Sequence, residues 1–181
     1  MVCHDRRMTE AIGNASSAGL PETTDATAVP TAWNRSELER LGFTGFTRLV
    51  GLDRSLLPRR HGVYVVLYEK DERPAFLASN VITKRMPYDP LHLEGKWLTG
   101  ASVVYIGKAE GREGLHTRVG AFSRQAENHS GGRALWQLDI AGDLLVAWLE
   151  TAGQSALAVE QSYLQAFKAE YFSYPFASRR G

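Results

Sequence analysis

The chain has 181 residues, 44% of them hydrophobic and 23% charged, with a formal net charge of +1. That length supports one domain with a proper core plus tails, and no run approaches the roughly eighteen consecutive apolar residues of a membrane span. Near-neutral charge argues against gripping long nucleic acid by bulk electrostatics, so any basic surface has to be local.

Residues 1–32 are rich in Ala, Thr, Ser and Gly without a period, which predicts a flexible leader. The leader has no apolar h-region. Its Cys3 is the only cysteine, so an internal disulfide and a Cys-based zinc site are excluded, and a reducing cytoplasm is the expected location. From Asn34 the character changes. Ser36 with Glu39 matches a capping box, and Leu38 and Leu41 give a short apolar stripe ending at Gly42. Residues 33–60 are therefore expected to be a helical lead-in that packs on the domain, with 58–61 as the turn before the first strand.

Residues 63–68 read as a strand, with Val63, Val65 and Leu67 on one face and Tyr64, Val66 and Tyr68 on the other. Residues 69–101 form a long insert with two X-Pro steps, in which 76–82 could add a strand. A second strand is expected over 102–107. Leu115, Val119 and Phe122 give the i, i+4, i+7 stripe of a helix running to about Glu127. Asn128 to Gly132 breaks it, and 134–140 fits either a short helix or a strand. A third strand follows over 144–149. The strongest helix spans 154–171, and Pro175 stands beyond its end. Strand, strand, helix, strand, helix gives an α+β domain around a short central sheet flanked by helices, with its body at 61–181.

On the last helix Leu157, Leu164, Phe167 and Tyr171 share a face, and Glu160 lies among them. A carboxylate turned toward a core is costly unless paired or metal-bound. It either pairs with a buried cation, reaches a cleft edge, or offers a one-carboxylate site for Mg²⁺, which keeps most of its waters. Arg118 borders the stripe of its helix, where a guanidinium either snorkels or holds a phosphate oxygen. Tyr64 and Tyr105 are ordinary strand aromatics taken singly. Gly107 and Lys108 at a strand end allow close approach and a phosphate contact. His61, His116 and His129 are further phosphate or proton-shuttle candidates, and Arg112, Arg133 and Arg179 further cations. Trp136 and Trp148 read as core or rim aromatics.

Taken in order, Gly62-Val63-Tyr64, Tyr105-Ile106-Gly107-Lys108, Leu115 with Arg118, Glu160 within a helix, and Pro175 resemble the GIY-YIG nuclease superfamily, with valine for isoleucine in the first tripeptide. The resemblance covers roughly 61–178. It implies a metal-dependent endonuclease that hydrolyses DNA phosphodiesters with one Mg²⁺ or Mn²⁺. Glu160 would be the metal ligand, Tyr64 would position or deprotonate water, and Tyr105, Lys108 and Arg118 would complete the catalytic set. Gly107, Arg112, His129, Arg133 and Arg179 would lie along the DNA. Two departures stand out: the insert 69–101 between the tyrosines, and Ser178 in the slot where the family usually has asparagine. Target choice would come from the insert, the 33–60 segment, a homodimer or a separate targeting protein. The alternative is a non-catalytic nucleic-acid-binding module on a degenerate fold of this type, and a third is an interaction domain with these residues as a buried network.

Overall fold

The structure is a computed structural model, and it describes residues 1, 28–80, 86–126 and 131–178. Its centre is a four-stranded antiparallel sheet of β1 (Thr44–Arg48), β2 (Gly62–Leu67), β3 (Val103–Ala109) and β4 (Leu145–Glu150), in the order β1-β4-β2-β3. The helices are α1 (Arg35–Arg40), α2 (Pro90–Lys96), α3 (Gly114–Ser123) and α4 (Ala156–Tyr171). This is a small α+β domain, as the element order predicts.

β2 is central and buried along its whole length. Its alternation divides the core as expected. Val63, Val65 and Leu67 join α1 and α4 on one face, through Leu38, Val159, Tyr163 and Phe167. Tyr64, Val66 and Tyr68 join α3 on the other, through Leu115, Val119 and Phe122. Burying both faces of a strand leaves no polar position along it, which is why β2 reads as a continuous apolar run. Trp136 and Trp148 are core residues of the α3 face.

Several expectations change. The 33–60 segment does more than pack on the domain: β1 pairs with β4 and so belongs to the sheet. α1 is capped by Asn34, whose side chain accepts from Glu37 N–H at 3.0 Å, so the cap does not lie at Ser36. Glu37, three residues on, reaches back to the Thr31 N–H and hydroxyl, both at 2.8 Å, and pairs with Arg40. The residues just before Trp33 are thereby tied to α1, whereas the rest of the expected leader lies outside the described residues, apart from Met1. α2 inside the insert is unexpected. Residues 133–137 form a 3₁₀ turn, and Leu138 makes an isolated bridge to Phe76. The remainder of the possible 76–82 strand extends past the described residues at Val81 and Ile82. α3 ends at Ser123, before the expected Glu127. α4 is ended by Phe172 in the left-handed conformation, ahead of Pro175.

Candidate active site at the edge of the sheet

The expected site residues come from four elements. Tyr64 is on β2, Tyr105, Gly107 and Lys108 are on β3, Arg118 is on α3 and Glu160 is on α4. β2 and β3 pair with Tyr64 opposite Gly107. That register explains the glycine. A Cβ at residue 107 would stand 2.7 Å from Tyr105 Cε1 and 2.8 Å from Tyr64 Cζ. Gly107 is buried and leaves room for the two tyrosine rings, so it does not offer the nucleic-acid contact expected of it.

The tyrosine rings lie 5.8 Å apart at 51°, and both pack on Phe122. Tyr64 is completely buried and hydrogen-bonded to Tyr105, which is 5% exposed. Burial, with Tyr105 next, pushes the Tyr64 phenol well above its ordinary range, and Arg118 offsets only part of this. A buried phenol in such a place stays protonated at neutral pH. The general-base role expected of Tyr64 is therefore disfavoured, and its geometry suits a fixed hydrogen-bonding partner.

Glu160 is half-buried at the margin of the α4 stripe. That stripe is centred on Val159, Tyr163 and Phe167, because Leu157 is exposed. Burial raises the Glu160 carboxyl above its ordinary value. The Lys108 charge, a hydrogen bond from the Lys108 backbone N–H, and Arg118 pull it down, while Glu110 pushes it up. Arg118 is half-buried and, among the described residues, its guanidinium closes no ion pair or hydrogen bond. Lys108 Nζ meets Glu110 at 2.9 Å, and the other Glu110 oxygen accepts from Leu157 N–H at 3.2 Å. Glu110 thus ties the end of β3 to the first turn of α4, one turn before Glu160. Sequence reasoning missed this link, and no periodic signal marks it.

Ser178 does not point into the tyrosine pair. It is 4% exposed and sits against the free edge of β3. Its hydroxyl accepts from Ile106 N–H at 3.0 Å and donates to Ile106 C=O at 3.3 Å, while Ala177 N–H donates to Val104 C=O at 2.9 Å. Along the outward edge of β3, Ala177 meets Val104 C=O, Ser178 meets Ile106 N–H and C=O, and Glu160 meets Lys108 N–H. One hydroxyl here meets both an N–H and a C=O, as an asparagine amide can.

The other candidates are spread out. Arg112 is exposed on the loop after β3. The Arg133 guanidinium lies 4.6 Å from the centre of the Tyr88 ring, on the insert, and so is occupied there. His61 Nε2 lies 2.8 Å from Gly111 O, and His116 Nδ1 3.4 Å from Leu57 O. His129 and Arg179 lie outside the described residues.

A metal here would rest on one carboxylate. Among the described residues no three His, Cys, Asp or Glu side chains come together as a metal-binding group. Glu160 is nevertheless a hard oxygen donor whose ionised form is disfavoured by burial, and a hydrated divalent cation suits that chemistry. Also among the described residues, no helix is long and apolar enough to cross a membrane. Comparison of the chain with protein-family models, with curated proteins and with solved structures finds no match.

Proposed function

We propose that the protein is a metal-dependent DNA endonuclease of GIY-YIG type. The observation that carries this reading is the electrostatic coupling of Glu160 to Lys108 and to Arg118, whose guanidinium closes no ion pair among the described residues, beside a hydrogen-bonded tyrosine pair. Four elements that are distant in sequence contribute one carboxylate, two cations and two phenols, and these are the groups phosphodiester hydrolysis uses.

Mg²⁺ or Mn²⁺ held at Glu160 would neutralise phosphate charge and favour loss of the leaving oxygen. The residues of the chain do the rest. Arg118 holds a non-bridging phosphate oxygen as charge builds on it. Lys108 adds a second positive charge and fixes Glu160 through its backbone N–H. Tyr64 is a positioning residue, because it is hydrogen-bonded to Tyr105 and orients it. DNA as substrate, and a homodimer or a separate targeting protein as the source of target choice, belong to the same proposal.

The test is cleavage of supercoiled plasmid DNA with Mg²⁺ or Mn²⁺, wild type beside Glu160→Ala and Arg118→Ala. Wild type nicks or linearises the plasmid. Arg118→Ala is slower by about 100-fold or more, in line with loss of a charge-stabilising donor, and Glu160→Ala is inactive. Equal cleavage by all three proteins would overturn the assignment. A second reading, a nucleic-acid-binding module without catalysis, draws on the complete burial of Tyr64. It expects salt-dependent DNA binding and no cleavage with either metal.

A further inference from the structure

A cleft of about 500 Å³ opens where β2 begins and β4 ends, with Arg59, Arg60, His61, Arg112 and Glu150 among its lining residues. Three arginines thus line it with one glutamate. Arg59 is partly neutralised by Glu113, at 2.7 Å. Arg60 and Arg112 close no ion pair among the described residues. In a chain of net charge +1 this is a local excess of positive charge that Glu113 and Glu150 answer only in part.

The backbone beneath these cations is fixed. α3 has no side-chain cap, and its first N–H groups are taken by the preceding turn instead. Leu115 N–H donates to Arg60 O at 2.8 Å and His116 N–H to Pro58 O at 3.0 Å. Thr151 N–H donates to His61 O at 3.1 Å, so the turn is also tied to the end of β4. The His61 ring reaches Gly111 and the Arg59 side chain reaches Glu113, which ties the turn to the loop that carries Arg112. Cations on a preorganised backbone lose less freedom when an anion arrives.

The cleft adjoins the candidate site. Gly62, which follows His61, pairs with Ala109, the neighbour of Lys108. His61 acts electrostatically on Glu110, which bonds Lys108 and acts in turn on Glu160. From Tyr64 back to His61, just before β2, the step is roughly 10 Å at about 3.3 Å per residue, which is about three nucleotide steps along a duplex axis at about 3.4 Å each.

We infer that the cleft of Arg59, Arg60, His61 and Arg112 is a second phosphate-holding site. It takes a nucleic-acid backbone phosphate flanking the diester at Arg118 and Glu160. This rests on the nuclease reading for its neighbour site, so its test reads binding and not cleavage.

The experiment measures equilibrium binding of a labelled 20-mer by the full chain without divalent metal, over a series of salt concentrations. The probes are duplex DNA, single-stranded DNA and RNA of one sequence. Wild type is set beside Arg60→Ala/Arg112→Ala and Arg60→Lys/Arg112→Lys. The alanine pair should weaken duplex binding about tenfold or more at low salt and lower the salt slope by about two, one for each lost phosphate contact. The lysine pair should restore the slope. A loss shared by all three probes marks the backbone phosphate as the ligand, because such contacts carry no sequence information; a loss confined to one names the strand the cleft takes. Unchanged affinity and slope in the alanine pair, or no binding by wild type at low salt, overturns the inference. Absence of plasmid cleavage with binding intact overturns the nuclease reading alone.

Discussion

Ser178 shows how far one side chain's role depends on where the fold puts it. Aligned by motif, it stands in for an asparagine and looks like a loss, since a hydroxyl offers fewer hydrogen bonds than an amide. In the fold it needs only two, to Ile106 N–H and C=O, and it makes both. β3 is an edge strand, and edges left open invite pairing with other chains. Ser178 closes that edge between Tyr105 and Gly107. Removing the hydroxyl leaves two buried backbone groups without partners, at a cost of about 1–3 kcal/mol. Ser178→Ala should lower the unfolding free energy in urea by that amount, and Ser178→Asn by less. If the alanine variant unfolds at the wild-type midpoint, the edge is satisfied some other way.

At the scale of elements, the insert is held by a residue that no motif marks. Gln137 is fully buried, accepts from Tyr88 N–H at 2.8 Å, and donates to Leu77 O and Tyr88 O, each at 2.9 Å. One side chain thus pins both ends of the stretch 77–88 to the α3 side of the sheet. Gln137→Leu keeps the volume but strands those three groups, so it should cost about 2 kcal/mol or more. It should also expose the insert to limited proteolysis before the rest of the domain. Proteolysis no faster than in wild type would show that the insert is held elsewhere. The insert also shows what was readable in advance. Asp89-Pro90 counts in the sequence only as one of two X-Pro steps, yet Asp at an N-cap followed by Pro at the first helical position is a start signal, and Asp89 accepts from Leu91 N–H at 3.0 Å as the cap of α2. β1 carried no comparable signal. Its register shifts between Thr44 and Thr47, and Gly45 and Phe46 both have positive φ, which erases period-two alternation. α3 and α4 were legible because burial on one side imposes a helical period, and β2, β3 and β4 because burial on both faces makes each a short apolar run. Tyr64, Tyr105, Lys108, Arg118 and Glu160 could be picked out by residue type and order. Glu110 and Gln137 could not, since each acts across the fold through contacts between segments distant in sequence.

For the molecule as a whole, Glu160 separates a functional carboxylate from a structural one. Lys108, Arg118, Glu110 and Tyr64 act on it electrostatically, and burial is the largest influence, so its folded-state pKa lies above the unfolded one. The sign follows from linkage. A raised carboxyl contributes stability below the ordinary glutamate value and loses it as pH rises through the folded value, so at neutral pH the ionised Glu160 is a net cost. Glutamine keeps an oxygen for the Lys108 N–H and removes the charge. Glu160→Gln should therefore melt at a higher temperature than wild type at pH 7, with the gap closing as the pH falls below the carboxylate range. Glu37, Asp53, Glu110 and Asp143 have lowered values and lose their contributions in acid. Glu37, Asp53 and Asp143 are common to both proteins and cancel in the difference between the two melting curves, which reports Glu160 together with its repulsion from Glu110. A carboxylate kept at a cost to the fold is what the proposed site predicts, in the pattern by which activity is traded against stability. If Glu160→Gln instead melts lower at pH 7, the carboxylate is the structural partner of Lys108 and Arg118, and the interaction-domain reading takes the place of the nuclease.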